Sequence, residues 1–146
     1  MRFVLDTNMV SLAMRGDSRV IDHLKAFQGD DLLISAVTLA EIEYGLARLP
    51  RSARGPSKRA SELRELFDAL LTYMGIAAWD RGAALRYASM RSESENAGLT
   101  IDHADMMIAS HALSLDATLV TADRTLLRRP KPRWMPATAN WAGADV

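Results

Sequence analysis

The sequence predicts an α/β fold, three layers α/β/α around a central parallel sheet of about four or five strands, and three observations carry that prediction. Short apolar runs of strand length alternate with segments of helical periodicity. Most of the runs end at Asp, Thr or Ser, residues that turn a chain and cap a helix. The chain has 146 residues, enough for one domain that buries roughly two thirds of its unfolded surface. The whole of 1–146 is expected to be that domain.

Arg2 to Leu5 is the first apolar run, and the Asp6-Thr7-Asn8 behind it suits a turn and a cap, so a strand and then a helix are expected. Asp31 to Ser35, with Leu-Leu-Ile at its centre, is the second strand. Thr38 is expected to open a helix over Leu39 to Leu49 that Pro50 closes. Leu49 to Ser57 is rich in Pro, Gly and Ser and reads as a loop between helices. Ser61 to Tyr73 carries apolar residues at 63, 66, 67, 70 and 71, the spacing of one helix face. Gly75 to Trp79 is the third strand and Ala83 to Met90 another helix. Thr100 or Asp102 is placed to cap a helix running to about Ser114. Ala117 to Thr121 is the fourth strand, with a fifth expected at 134 to 138. Strands that alternate with helices pair in parallel and take helices on both faces.

Composition narrows the function. The absence of Cys excludes disulfide frameworks, thiolate zinc sites and Cys nucleophiles. The longest uncharged runs, 32–40 and 69–79, fall short of the roughly 20 apolar residues of a spanning helix. Asp6 interrupts the opening apolar stretch, so no signal peptide is expected and the expected location is cytoplasmic. Eighteen Lys and Arg balance eighteen Asp and Glu. A zero net charge would argue against a nucleic-acid partner if the charges were evenly mixed, and they are not. From Tyr44 to Ser61 there is no acid, but Arg48, Arg51, Arg54, Lys58 and Arg59 are present. From Arg124 to Ala144 there is again none, with Arg124, Arg128, Arg129, Lys131 and Arg133. Solvated loops and helix faces account for either run alone; two in one neutral chain point toward an anionic partner.

In a parallel sheet, ligands bind beyond the carboxyl ends of the strands. Four acids are expected at that edge. Asp6 follows the first strand, Glu41 falls in the first turn of the helix behind the second, Asp123 lies two residues past the fourth, and Asp105 sits in the first turn of the helix starting near Asp102. Each also has a local role open to it: Thr38 with Glu41 fits a capping box, Asp105 favours the positive end of its helix, Asp6 suits a cap, and Asp123 suits a turn. Four carboxylates facing one cleft would repel one another by several kcal/mol unless protonated or neutralised. A divalent cation neutralises them, and an all-oxygen set favours Mg²⁺ or Mn²⁺ over zinc or copper.

Other chemistries lack their residues. A haloacid-dehalogenase-like phosphatase needs a second Asp where Asn8 stands, and a receiver domain needs a Lys just after a strand, where none of Lys25, Lys58 and Lys131 falls. No phosphate-cradling glycine loop and no Gly-x-Ser-x-Gly elbow occurs. His103 and His111, eight apart, are too far along one helix to share a metal and read as surface or packing residues. Metal-assisted phosphodiester hydrolysis remains.

Four segments then resemble one family in order and spacing. Leu5-Asp6-Thr7-Asn8, the stretch from Ile34 to Gly45 containing Ala40-Glu41, the stretch Asp105 to Leu113, and Ala117 to Asp123 look like the PIN-domain ribonucleases, specifically the VapC-type toxins of bacterial toxin–antitoxin pairs. The resemblance covers about residues 1 to 141. It implies a parallel sheet between helices, Mg²⁺ or Mn²⁺ held by the acids, endonucleolytic cleavage of RNA, a homodimer, and inhibition by a cognate VapB-type antitoxin whose C-terminal segment covers the cleft. By this resemblance Asp6 and Asp105 are the main metal ligands, Glu41 and Asp123 assist or orient water, and Thr121 is the accompanying hydroxyl. Two departures stand out: Asp102 adds a carboxylate before Asp105, open to reaching the metal through water but read first as a helix cap, and Leu126-Leu127 stand where relatives commonly have a Phe. The two basic runs are then expected to hold RNA, and Trp134 and Trp141 to pack or to stack on bases. Two other readings are weighed against it. A module that binds RNA or protein without cutting has no reason to keep four repelling acids, and a flap-type DNA nuclease needs carboxylates and a helical arch for which there is no room.

Overall fold

The computed structural model describes residues 1–143. The last three residues of the expected domain, and with them the end of the second acid-free stretch at Ala144, lie outside the described residues. Five strands form one sheet: β1 (Arg2–Leu5), β2 (Asp31–Ser35), β5 (Gly75–Ala77), β6 (Thr118–Val120) and β7 (Thr138–Ala139). Their order is β5-β2-β1-β6-β7, and every neighbouring pair is parallel. The chain builds outward from β1 to β5, then returns to pair β6 on the other side of β1. The order therefore reverses beside the central strand, the place where such sheets open a crevice at their carboxyl edge.

Alternation along the strands makes the layers. Phe3 and Leu5 of β1 join Leu32 and Ile34 of β2 in one core with residues of α1 (Thr7–Met14), α2 (Ser18–Ala26), α3 (Ala36–Ala47) and α4 (Lys58–Leu70). Val4 between them faces the other way, with Leu119, into a second core made with α5 (Arg81–Asn96) and α6 (His103–Ser114). A strand apolar on both sides in this manner belongs at the centre of a covered parallel sheet. Trp79 donates to the carbonyl of Met107, and the Tyr87 hydroxyl bonds to His103. With Trp79 just ahead of α5 against residue 107 and Tyr87 within it against residue 103, the two helices run antiparallel. Among the described residues no helix is long and apolar enough to cross a membrane.

Several boundaries differ from expectation. Ser35, not Thr38, caps α3, its hydroxyl accepting from Val37 N at 3.1 Å, so the helix starts three residues early and ends at Ala47. Thr38 is thereby drawn inside the helix and fully buried, and Glu41 falls in the second turn rather than the first. Ser57 likewise opens α4 at Lys58 instead of Ser61. The stretch read as a loop holds a small antiparallel hairpin, β3 (Arg51–Ser52) with β4 (Gly55–Pro56), which Gly55 turns with a φ of 109°. Helix α5 runs on to Asn96, twice the expected helix, and α2 was not distinguished in the sequence as a helix of its own. The fifth strand lies at 138–139, at the end of the expected span. α7 (Arg124–Leu127) adds one turn after β6.

Candidate active site

The carboxyl edge of the sheet gathers the acids by four independent local rules. Asp6 follows β1 and caps α1: its Oδ1 accepts from Met9 N at 2.8 Å while its own N–H continues the ladder to the carbonyl of Val120. Asp123 caps α7 in the same way, its Oδ1 accepting from Leu126 N at 3.0 Å. Asp102 caps α6 through Oδ2 and Ala104 N, which leaves Asp105 in the first turn of that helix. Each of these caps uses one carboxylate oxygen and leaves the other available. The cap open to Asp6 is thus real, and Asp123, expected in a turn, is a cap instead.

Glu41 arrives from the second turn of α3 and is held by Thr7, whose hydroxyl donates to Glu41 Oε1. The buried Thr38 hydroxyl lies 3.3 Å from the Thr7 oxygen, so two threonines stand in line behind Glu41. Thr121, fully buried, has a hydroxyl that bonds to the Asp6 carboxylate and accepts from Asp123 N at 3.0 Å. It therefore ties one acid to the backbone of another.

The electrostatics follow from burial. Asp6 is 6% exposed. Loss of water pushes its pKa above the ordinary carboxylate value, with the nearby charges of Asp123 and Glu41 adding to the rise and the hydrogen bonds from Thr121 and Met9 opposing it. Asp105 is raised to about 6, first by burial and then by Asp102, Asp123, Asp6 and Glu41. The other three sequence-predicted acids, Asp6, Glu41 and Asp123, thus lie within electrostatic reach of Asp105. Among the described residues no ion pair involves any of them.

An oxygen-only, uncompensated cluster has the chemistry of a Mg²⁺ or Mn²⁺ site. Among the described residues no three acids or histidines converge tightly enough to enclose an ion by themselves. Asp6 and Asp105 are the two acids of the cluster whose pKa values are raised.

The other candidates are sorted by their surroundings. Asp102 is a cap and lifts Asp105 by repulsion. His103 is exposed, while His111 is buried against Ser35 Oγ at 2.9 Å. Trp141 is buried, stacked on Phe27 and His23, and Trp134 packs against the second core, so packing takes both rings. Of the two basic runs, the first reaches the site through Arg59, which lines a groove together with Thr7 and Glu41. The second begins at Arg124, one residue beyond Asp123, but its Lys131 turns inward to the carbonyl of Leu126, and burial lowers its pKa. Lys131 is thereby removed from the rim. Sequence reasoning missed Thr7 as the partner of Glu41, although it stands inside the quoted Leu5-Asp6-Thr7-Asn8; nothing in the spacing tells which side chain it meets 34 positions away.

Comparison with known proteins gives one picture. Residues 3–132 match the model of the PIN domain. Ribonuclease VapC2 of Rickettsia felis is 31% identical over 123 residues, covering 83% of this chain and 86% of its own. Toxin FitB of Neisseria gonorrhoeae is 32% identical over 123 residues, covering 82% and 86%. In the solved structure of VapBC2 from Rickettsia felis bound to a DNA fragment from their promoter, one chain matches with a TM-score of 0.81 at 28% identity, covering 97% of this chain and 99% of that one.

Proposed function

Since the chain belongs to the PIN-domain family, we propose that it is a metal-dependent endoribonuclease, the toxin of a type II toxin–antitoxin pair. The observation that carries this is the gathering of Asp6, Glu41, Asp105 and Asp123 from four separate elements at one sheet edge, with two raised pKa values and no ion pair among the described residues to offset them. Such an arrangement is electrostatically poor on its own and suits a divalent cation and a phosphodiester. Asp6 and Asp105 would hold Mg²⁺ or Mn²⁺, which supplies positive charge to the phosphate and lowers the pKa of water beside it. Glu41, steadied by Thr7, orients the attacking water through its remaining oxygen. Asp123 assists at the same cleft, and Thr121, which accepts from Asp123 N, supports Asp6.

Partners follow from the relatives, among them VapBC2, a complex captured on promoter DNA. We assign this chain a VapB-type antitoxin that covers the cleft, and a homodimeric state. Tyr44 on α3 and Leu85 on α5 are both more than 60% exposed and are candidates for such contacts. A single domain over 1–146, acting in the cytoplasm, completes the reading.

The test is direct. Protein purified free of antitoxin cleaves RNA with Mg²⁺ or Mn²⁺ and stops with EDTA. Asp6→Asn abolishes cleavage with the fold intact, because Asn caps a helix as well as Asp does. Cleavage that persists in EDTA overturns the metal, and a folded protein that binds RNA without cutting any of it overturns the enzyme.

A further inference from the structure

A groove leaves the acidic cleft at the Thr7–Glu41 bond and runs between α1, α3 and α4, with a volume of about 350 Å³. Met14, Ile42, Leu46 and Leu63 form its floor, and Arg15 and Arg59 stand along it. Thr7 and Ser11 lie on one stripe of α1, and Arg15 continues it about 12 Å along the axis from Thr7.

Gly45 lines the same groove from the interior of α3, where glycine is the least favoured residue after proline. A Cβ built on it meets nothing within 4 Å, and its backbone is not left-handed. Neither packing nor conformation within the chain calls for a glycine there. What it supplies is room.

The groove is also graded in charge. At one end stands Glu41 with the other acids. Arg15 and Arg59 are exposed and have no ion pair among the described residues, and Arg59 belongs to the acid-free run whose Arg51 and Arg54, also exposed, stand on the β3–β4 hairpin. A polyanion cut at the acids needs its neighbouring phosphates neutralised, and guanidinium groups do this well.

We propose that this groove carries the substrate strand away from the cleft, with Arg15 and Arg59 holding phosphates beside the scissile one and Gly45 keeping the passage open. The inference rests on the ribonuclease reading above.

The experiment measures fluorescence anisotropy of a labelled random-sequence single-stranded RNA with the full chain, in an Asp6→Asn background that prevents cutting. Arg15→Ala and Arg59→Ala each weaken binding about tenfold, and each lowers the slope of log affinity against log salt by about 0.7. Gly45→Ala and Gly45→Leu weaken binding in that order while the melting temperature stays level or rises, because both residues are better helix formers. Arg86→Ala, on α5 away from the groove, leaves affinity and slope unchanged. Gly45→Leu with the parent's affinity, or arginine variants with the parent's salt slope, overturns the inference. Substitutions that spare RNA and loosen only a protein inhibitor make the groove a protein-docking surface and overturn it as well. If the wild-type chain still cleaves RNA in that case, the ribonuclease reading stands; a wild-type chain that neither binds nor cleaves any RNA removes both.

Discussion

The Thr7 hydroxyl donates to Oε1 of Glu41 across 34 positions of sequence, joining the helix behind β1 to the helix behind β2. Asp6 is its immediate neighbour, so one dipeptide sets two of the four carboxylates.

Thr7→Val removes that bond and leaves Glu41 free to rotate. Groups that orient a metal-site carboxylate typically cost about 10- to 100-fold when lost. The expected result is a fall of that size in kcat with KM little changed, recovered by Thr7→Ser. Steady-state cleavage of a labelled RNA measures it, and a Thr7→Val enzyme of full kcat removes Thr7 from the mechanism.

Asp105 titrates near 6 in the folded chain against an ordinary 3.8. Between those values the native state binds more protons than the unfolded one, so this group's contribution to stability falls as pH rises from about 4 to about 6 and then stays low. Asp105→Asn removes that penalty. Metal-free Asp105→Asn is therefore expected to exceed wild type by about 1–2 kcal/mol at pH 7, allowing for the solvent that reaches this side chain. The difference shrinks to near zero at pH 4, as urea titrations at both pH values would show.

A divalent cation that binds only the folded cleft stabilises it by about 2.7 kcal/mol at a hundred times its Kd. Mg²⁺ is expected to raise the melting temperature of the wild-type chain at pH 7 and to do so much less for Asp6→Asn. Equal shifts in the two proteins would place the ion elsewhere.

His111 is buried between Ser35, the cap of α3, and the backbone of Ala78 beyond β5, and burial lowers its pKa although Asp80 lies close. His111→Ala leaves a cavity and takes one of the two partners of the Ser35 hydroxyl, costing about 2–4 kcal/mol in urea unfolding. The sign of its pH effect is opposite to that of Asp105. Its folded pKa lies below 6.5, so stability is lost as pH falls beneath the unfolded value. In the variant that loss is expected to be absent.

Much of the fold was legible because its signals are local. Phe3-Val4-Leu5 reads as a central strand from three apolar residues, and Asp6 and Asp102 read as caps because a cap is a contact over two or three residues; Asp123, which suits a turn, caps a short helix as well. Helix starts were harder. Ser35 and Thr38 are both good caps, as are Ser57 and Ser61, and the earlier one prevails where the strand or hairpin ahead of it ends. Lys131 counted as part of a basic rim because a side chain's direction is invisible in sequence; in the folded chain it bonds the carbonyl of Leu126.

The sequence by itself determined the alternation that makes a parallel sheet, the order of the four acids after its strands or in the helices behind them, and the kinship those four motifs carry. Only the tertiary structure decided that Thr7 meets Glu41, that Thr121 ties Asp6 to Asp123, that His111 is a buried strut, and that Gly45 lines an open groove toward Arg15 and Arg59. The physical reason is range. Caps and periodicity act within a few residues, whereas the charge, burial and spacing of a cleft are set by strands that pair β2 with β1 and β6 with β1, from opposite sides and far apart in the chain.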